Sequence, residues 1–470
     1  MIARRPAAFP LHPTFLAGCL LLLASCGEDP AGPGYPVLTI TLTPAALSLS
    51  IGSSDQLVIG FETDTAGLGV DTIAVRWSSS DETIATVTSA GLVTAVGLGD
   101  ATISVEIGGS TGSALIQTGL AFTSLSAGQA HTCGLVVGGE VFCWGDNGRG
   151  QLGDGTKRAS TSPVRVGLAG RYLAVTAGLD HTCGLAENGS VFCWGAGGVG
   201  QRGDGTADDA SLPTPIASDL VFTYLSAGDN HTCGITADES LRCWGSNGFG
   251  QLGDNSLTNR LAPTAALATD GFRAVDAGRD HSCAVGVSGT GYCWGRNDDA
   301  QLGSGTPSGP VRVPTAVGPL ITFRILLAAA GPFTCGISLN RWAYCWGRGD
   351  DGQLGTGTTQ EANGVTLDQT IPFASLDLGT FHACGTTVEF RTYCWGTSRL
   401  GILGVRSAAI PLEIPIALSR ITTGAFHTCG IGRDDRRAFC WGGNDHGQLG
   451  SGSAAPSDVP QLVALQIQTP

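Results

Sequence analysis

Residues 131–145 read His-Thr-Cys-Gly-Leu-Val-Val-Gly-Gly-Glu-Val-Phe-Cys-Trp-Gly, and variants of this stretch return six more times along the chain. The intervals between the first cysteines of successive copies are 50, 50, 50, 52, 49 and 45 residues. A period near 50 is typical of propellers and of arrays of four-stranded units. The sequence therefore predicts an all-β architecture built from seven copies of one unit.

Each copy continues in the same way after its second cysteine. A Cys-Trp-Gly stretch leads in most copies to Gly-Gln-Leu-Gly, as at 150–153 and 447–450. This combination resembles the regulator of chromosome condensation repeat family, and the resemblance implies a seven-bladed β-propeller over residues 119–470. We expect the ring to be closed by a terminal strand at 462–467 that joins the first blade at 122–127. Arg202 in place of Leu and Ile402 in place of Gln depart from the pattern, so the turns there are predicted less firmly.

Fourteen of the sixteen cysteines lie in the copies, with nine residues between the two members of six pairs and ten in the last pair. Turn residues between them place each pair on facing strands of a hairpin, where a disulfide can form. The alternative is zinc bound by sets such as His131, Cys133 and Cys143. Phe333 replaces the histidine in the fifth copy while both cysteines remain, so the thiol pair does not depend on the imidazole.

We therefore predict disulfides, with no metal ion and no cofactor. The histidines are interpreted as hydrogen-bonded residues within the blades, and the seven tryptophans that follow the second cysteines as packing between blades. The predicted disulfides are Cys133–Cys143, Cys183–Cys193, Cys233–Cys243, Cys283–Cys293, Cys335–Cys345, Cys384–Cys394 and Cys429–Cys440.

The N-terminal residues 1–25 have the properties of an export signal. Arg4 and Arg5 precede an apolar run that ends in Leu-Ala-Ser-Cys at 23–26. That ending resembles the lipobox of bacterial lipoproteins, which implies lipidation of Cys26 and a polar tether over 26–36. The expected location is the bacterial cell envelope, lipid-anchored at the outer membrane and facing the periplasm or the surface. Export also supplies the oxidising compartment in which disulfides persist.

Residues 37–118 alternate apolar and polar side chains with period two and contain no cysteine. Such short strands separated by turn residues predict a small β-sandwich. The stretch from Trp77 to Val87, followed by Gly-Leu-Val-Thr-Ala at 91–95, resembles the bacterial immunoglobulin-like domain, group 2. The resemblance implies a spacer in a surface protein, and we expect its core to pack around Trp77.

The functional prediction rests on charge and on what varies between copies. A net charge of −14 argues against nucleic-acid binding, and no catalytic constellation is apparent in the sequence. The hairpin tips of copies five to seven carry aromatic and arginine residues of the kind that dominate binding interfaces, whereas the first three tips are small or acidic. The candidate partner-binding residues are Arg341, Trp342, Phe390, Arg391 and Arg436.

We predict an extracytoplasmic binding or adhesion protein, a monomer that displays its propeller to an unknown protein or glycan and meets the membrane only through the lipid anchor. The first alternative is a cell-envelope enzyme, a hydrolase or lyase with its site in the propeller mouth. Acids with perturbed pKa in that mouth would favour the enzyme, and an aromatic rim would favour binding. The third hypothesis is guanine-nucleotide exchange, an activity of a eukaryotic member of the regulator of chromosome condensation family that an exported, acidic chain is not expected to share.

Overall fold

The structure is a computed structural model that describes residues 38–63, 74–97, 99–167, 170–268, 270–318, 321–359, 371–398, 401–404 and 408–464. The predicted signal, Cys26 and the tether lie outside the described residues. The regular secondary structure of the described residues consists of β-strands. These residues contain no helix that is both long and apolar enough to cross a membrane.

The first nine strands form a unit of three small sheets. The strands are β1 (Leu38–Thr43), β2 (Ala46–Ser50), β3 (Ser54–Gln56), β4 (Val58–Thr63), β5 (Val75–Ser79), β6 (Ala85–Val87), β7 (Leu92–Ala95), β8 (Gly99–Ile107) and β9 (Ser110–Gly119). The sheets have the orders β1-β4, β2-β9-β8-β5 and β3-β7-β6, and β2 runs parallel to β9. Two residues separate the end of this unit at Gly119 from the next strand, which begins at Phe122.

The core of this first unit is formed mainly by the long β8–β9 hairpin. Alternate residues of the hairpin point inward, so Ile103, Val105 and Ile116 are fully buried together with Val93 of β7. Trp77 is only half-buried and packs against the margin of this cluster. The expectation of a core centred on Trp77 is therefore wrong, because the β8–β9 hairpin fills the interior.

Among the described residues, seven sheets carry the repeat, and we number them blades 1 to 7 in chain order. In each blade the strands are hydrogen-bonded in sequence order. The strands are β10 (Phe122–Ala127), β11 (His131–Val136), β12 (Val141–Gly145) and β13 (Ser160–Arg165) in blade 1; β14 (Tyr172–Ala177), β15 (His181–Ala186), β16 (Val191–Gly195) and β17 (Ala210–Pro215) in blade 2; β18 (Phe222–Ala227), β19 (His231–Thr236), β20 (Leu241–Gly245) and β21 (Arg260–Ala265) in blade 3; β22 (Phe272–Ala277), β23 (His281–Gly286), β24 (Gly291–Asn297) and β25 (Ser308–Ala316) in blade 4; β26 (Phe323–Ala328), β27 (Phe333–Ser338) and β28 (Ala343–Gly347) in blade 5; β29 (Phe373–Leu378), β30 (His382–Thr387), β31 (Thr392–Gly396) and β32 (Ala408–Ile414) in blade 6; and β33 (Leu418–Thr423), β34 (His427–Gly432), β35 (Ala438–Gly442) and β36 (Ser457–Leu462) in blade 7.

The second and third strands of each blade are its most deeply buried part. The two cysteines of every copy occupy directly opposed positions on these strands and are joined by a disulfide, with Cα atoms 4.0–4.1 Å apart. All fourteen sulfur atoms therefore lie in the packed interior of the blades. The outermost strand of each four-stranded blade contains at least one proline, as at Pro213 and Pro460.

Within the described residues no strand from the C-terminal end joins blade 1, and residues 465–467 of the predicted closing strand lie outside them. Strand β36 pairs with β35 of its own blade, and blade 1 consists of four consecutive strands. Blade 7 instead contacts blade 1 through the same bonds that join other neighbouring blades, including Phe122 N–H to the Arg436 carbonyl at 2.8 Å and Trp144 Nε1–H to the Gln448 carbonyl at 2.9 Å. Among the described residues, six of the seven blade boundaries carry both of these bonds, and the boundary between blades 6 and 7 lacks the one from Trp441.

Candidate functional site

The histidine that six of the seven repeats share binds the following blade. Its Nε2 atom lies 2.8–3.0 Å from the hydroxyl that precedes the first cysteine of the next blade, as from His181 to Thr232. That hydroxyl donates its single hydrogen to a backbone carbonyl, and Thr232 donates to the carbonyl of Gln201 at 3.0 Å. The imidazole must therefore donate through Nε2, which fixes the neutral tautomer.

Blade 5 shows that the two members of this bond are lost together. Phe333 takes the position of the histidine, and Ala383 takes the position of the hydroxyl residue in blade 6. Both side chains are fully buried in one apolar cluster. A donor without its acceptor would leave a buried polar group unsatisfied, so the apolar pair is the alternative that keeps this boundary stable.

Burial keeps these imidazoles neutral. It lowers the pKa of His131 and His281 to about 4, and that of His181, His231, His382 and His427 to about 3. Within the described residues, no group of three or more His, Cys, Asp or Glu side chains is arranged to hold a metal ion. Since the cysteines are joined in disulfides, the zinc alternative has no thiolate ligands.

The repeated tryptophans pack between blades, as predicted. Six of them donate from Nε1 to a backbone carbonyl of the preceding blade at 2.8–3.0 Å. Trp441 is the exception, because its buried Nε1 has no hydrogen-bond partner in the part of the chain that the structure describes. The residue at the acceptor position is Ile402, one of the two departures noted in the sequence, and its carbonyl accepts from the Thr428 hydroxyl at 2.7 Å.

The other departure, Arg202, is explained by a second change in the same blade. In blade 1 the amide of Asn147 bonds Asp154 and Thr156 at 3.2 Å. In blade 2 the corresponding residue is Gly197, and the buried Arg202 guanidinium contacts Asp204 and Thr206 instead. A Cβ atom at Gly197 would clash with the backbone carbonyl of Asp208 and would also lie 3.2 Å from Arg202 Nε, so the glycine allows both the backbone and the arginine that replaces the amide to approach.

The candidate binding residues lie at the hairpin tips that join the second and third strands of the blades. Arg341, Phe390 and Arg436 occupy one turn position and have φ values of 66°, 63° and 55°. The same position is glycine in blades 1, 2 and 4, where φ is also positive, and Glu239 in blade 3. A side chain in this left-handed conformation costs about 1 kcal/mol relative to glycine.

This turn position has a structural role that does not depend on its side chain. The backbone carbonyl at this position accepts a bond from the first residue of the next blade, for example Arg341 from Phe373 N–H at 3.0 Å and Gly189 from Phe222 N–H at 2.9 Å. Glycine therefore suffices for the contact between blades. The side chains of Arg341, Phe390 and Arg436 are additions that this contact does not need.

The structure brings part of the candidate set together. The Arg433 guanidinium lies 4.8 Å above the Phe390 ring, so the tips of blades 6 and 7 touch. Arg391 is engaged within its own blade by a two-point ion pair with Glu413, at 2.9 and 2.6 Å. No contact joins Trp342 to this group among the described residues, although its tip lies on the same face of the ring.

The opposite end of each blade opens onto a central channel whose lining residues were not predicted from the sequence. It contains a cavity of about 690 Å³ lined by the innermost strands and by the turns that follow them. Polar side chains of the wall accept from the next blade's backbone N–H, for example Ser126 from Ala177 at 2.9 Å and Asp276 from Ala328 at 2.8 Å. In six copies the accepting residue lies seven positions before the first cysteine. This regular spacing is hard to recognise in the sequence because the residue is a serine or threonine in some copies and an aspartate in others.

The channel contains carboxyl groups with perturbed pKa and also aromatic rings. Burial, with the nearby Asp377 carboxylate adding to it, raises the pKa of Asp276 to about 7, and burial raises the pKa of Asp377 as well. Phe381 and Phe426 line the mouth with ring centroids 6.3 Å apart. The mouth thus has both of the features that the sequence analysis set against each other.

Consecutive sheets of three or four strands, arranged around a channel and hydrogen-bonded to their neighbours, define a β-propeller with disulfide-bonded blades. The family profile of the RCC1-like domain matches residues 39–372, and profiles of the regulator of chromosome condensation (RCC1) repeat match 419–448 and 435–468. The chain belongs to the RCC1-like domain family. The first match begins within strands β1–β9, whose sheet order differs from that of the blades.

Relatives of known sequence match only part of the chain. The mitochondrial RCC1 domain-containing protein RUG3 of Arabidopsis thaliana is 29% identical over 150 residues, which cover 28% of this chain and 34% of RUG3. The human E3 ubiquitin-protein ligase HERC2 is 29% identical over 173 residues, covering 34% of this chain and 4% of HERC2. The matched region is therefore a minor part of each relative's length.

Solved structures support the fold. Human WBSCR16 aligns with a TM-score of 0.63 at 22% identity, covering 69% of this chain and 94% of that one. Yeast RCC1 (Prp20), in its complex with Kap60, aligns with a TM-score of 0.62 at 18% identity, covering 69% and 83%. At these identities the likeness extends to the propeller fold alone.

Proposed function

We propose that this chain is an extracytoplasmic binding protein in which a seven-bladed propeller is displayed to a protein or glycan partner. In this proposal Cys26 carries a lipid anchor in the bacterial envelope, and the unit over 37–118 is an immunoglobulin-like spacer. The seven buried disulfides support an oxidising compartment outside the cytoplasm. The lipobox-like ending at residues 23–26 supports the anchor.

The observation that carries the binding proposal is the turn position of Arg341, Phe390 and Arg436. Three other blades use glycine there, and the backbone contact it makes needs no side chain. Retaining arginine and phenylalanine in a left-handed conformation costs free energy without serving the fold, and strained residues of this kind gather at functional sites. Arginine and aromatic residues are also those enriched in the energetic centres of interfaces.

The test replaces these three side chains with the residue that the other blades use. The triple variant R341G/F390G/R436G keeps the turn and removes the proposed contact atoms. The immobilised wild-type protein is incubated with envelope extract, and bound proteins and glycans are quantified by mass spectrometry. We expect the triple variant to lose at least tenfold of the specifically retained partner.

The matched control is E239G, the same change at the same turn position in blade 3. It should retain the partner at the wild-type level. Undiminished capture by the triple variant, or equal loss in the control, would contradict a binding surface at the tips of blades 5 to 7. The anchor is tested separately, since C26S should move the protein from the membrane to the soluble envelope fraction.

A cell-envelope hydrolase or lyase is the second candidate, and the channel acids favour it. A carboxyl group such as that of Asp276, with a pKa of about 7, can act as a general acid near neutral pH. Hydrolysis or lysis of envelope glycans by the wild-type protein, lost in D276N, would support this candidate. Guanine-nucleotide exchange, the third, is tested by adding the propeller to a GTPase loaded with labelled nucleotide.

A further inference from the structure

The turns that line the channel mouth differ from blade to blade in a patterned way. Blades 1, 3 and 4 contribute amide and charged side chains, whereas blades 6 and 7 contribute the rings of Phe381 and Phe426. The cavity between them therefore has one polar side and one aromatic side. Its volume of about 690 Å³ is within the range of small-ligand pockets, roughly 300–1,000 Å³.

Both arginines on the polar side already have carboxylate partners. Arg296 is held by Asp298 at 2.7 Å and by Asp280 at 3.5 Å, and its guanidinium lies 5.0 Å from the Phe249 ring centroid. Arg279 lies 3.6 Å from Asp280. Both guanidinium groups of the mouth are therefore already paired with carboxylates, and these pairs position the two arginine side chains at the rim of the cavity.

Asp229 is different, because within the described residues its carboxylate has no hydrogen bond and no ion pair. Burial raises its pKa to about 7, the Arg279 charge opposes this rise, and the Asp280 and Asp180 charges add to it. Asp276 and Asp377, deeper in the same cavity, are occupied by backbone N–H groups of the next blade. The mouth therefore presents one unpaired carboxylate, in a negative surrounding, opposite two aromatic rings.

We propose that the channel mouth binds the lysine side chain of a polypeptide partner. The ammonium group would pair with Asp229, and the aliphatic stem would lie against Phe381 and Phe426. An ammonium on an apolar stem matches both sides of the cavity, since the cation supplies the missing partner and the methylenes cover the rings. This site is at the opposite end of the blades from the tips of the proposed partner surface, and it stands independently of that surface.

The probe is Nα-acetyl-lysine methylamide, and its neutral counterpart is Nα-acetyl-norleucine methylamide. Titration calorimetry at pH 7 should show saturable binding of the lysine probe and at least tenfold weaker binding of the norleucine probe. Because the ammonium favours the ionised carboxylate, binding should release protons near neutral pH, so the heat should depend on the ionisation enthalpy of the buffer. 1,5-Diaminopentane distinguishes a free amine from a side chain, and binding it more tightly than the lysine probe would overturn the assignment to a polypeptide.

D229N removes the charge with little change of shape and should weaken the lysine probe at least tenfold and abolish the proton release. The control E187Q makes the equivalent change at an exposed tip on the other face and should leave both unchanged. F381L/F426L tests the aromatic side and should weaken the probe while proton release persists. Equal affinities for the two probes, or wild-type affinity in a folded D229N protein, would overturn the proposal. The tip triple variant should bind the probe normally, so failure here and failure of the proposed partner surface are separable.

Discussion

The bond between His181 and Thr232 predicts a specific energetic coupling between blades 2 and 3. T232A leaves the buried Nε2–H of His181 without an acceptor and removes the bond of 3.0 Å to the Gln201 carbonyl. An orphaned buried donor costs about 1–3 kcal/mol and a lost neutral bond about 1 kcal/mol, so we expect T232A to cost about 3 kcal/mol. H181F leaves the Thr232–Gln201 bond intact and should cost about 2 kcal/mol.

The double variant H181F/T232A reproduces in blades 2 and 3 the apolar pair that blades 5 and 6 have at Phe333 and Ala383. Its cost should be about 3 kcal/mol rather than the sum of about 5, which is a coupling energy of about 2 kcal/mol. Guanidinium denaturation without reductant, followed by tryptophan fluorescence, gives these values provided that the denaturant slope is unchanged. The control H181F/T428A joins residues of two different pairs and should be additive. Additivity within about 0.5 kcal/mol in H181F/T232A would refute the reasoning.

Three further predictions follow from the same contacts. Six histidines have pKa values lowered below the unfolded value, so their contribution to stability is intact above pH 6.5 and is lost as the pH falls toward 4, whereas four carboxyl groups with raised pKa act in the opposite direction. The unfolded chain therefore binds at least two more protons than the folded protein, and the free energy of unfolding should fall by about 3 kcal/mol per pH unit between pH 6 and 4. Denaturation at each pH measures this slope. R202L should cost about 3 kcal/mol because Asp204 would remain buried without its cation, and a loss under 1 kcal/mol would show that the ion pair does not support the turn. W441F should cost about 1 kcal/mol less than W244F, because only Trp244 has an acceptor for its Nε1–H; equal thermal midpoints for the two variants would contradict this.

The sequence predicted those features that recur with the same residue type at the same spacing. Disulfides across the hairpins could be inferred because a cysteine pair like Cys133 and Cys143 recurs in every copy, including the fifth, where Phe333 replaces the histidine. The β-propeller class followed from the same period. The candidate tips were found because Arg341 and Phe390 differ from their counterparts, although the left-handed turn that makes the difference informative is visible only in the structure.

Other features depend on pairs of residues that are distant in the chain or that differ in chemistry between copies. The wall acceptors of the channel are hydroxyls in some blades and carboxylates in others, so Ser126 and Asp276 do not look alike in the sequence. Arg202 looked like a defect because its compensation, Gly197, lies five residues away in a different turn segment. The exchanged closing strand was expected from its sequence position, whereas β36 pairs within blade 7 and residues 465–467 lie outside the described residues.

The prolines of the outermost strands bear on how many copies of this protein can stand side by side. The rim of a propeller is a series of strand edges, and an unpaired edge can template the addition of a neighbour's strand. Proline lacks the N–H that such an addition would use, so Pro213 or Pro460 interrupts the donor row of its blade. Densely packed copies of this protein could therefore touch at their rims without joining their outermost strands into a continuous intermolecular β-sheet.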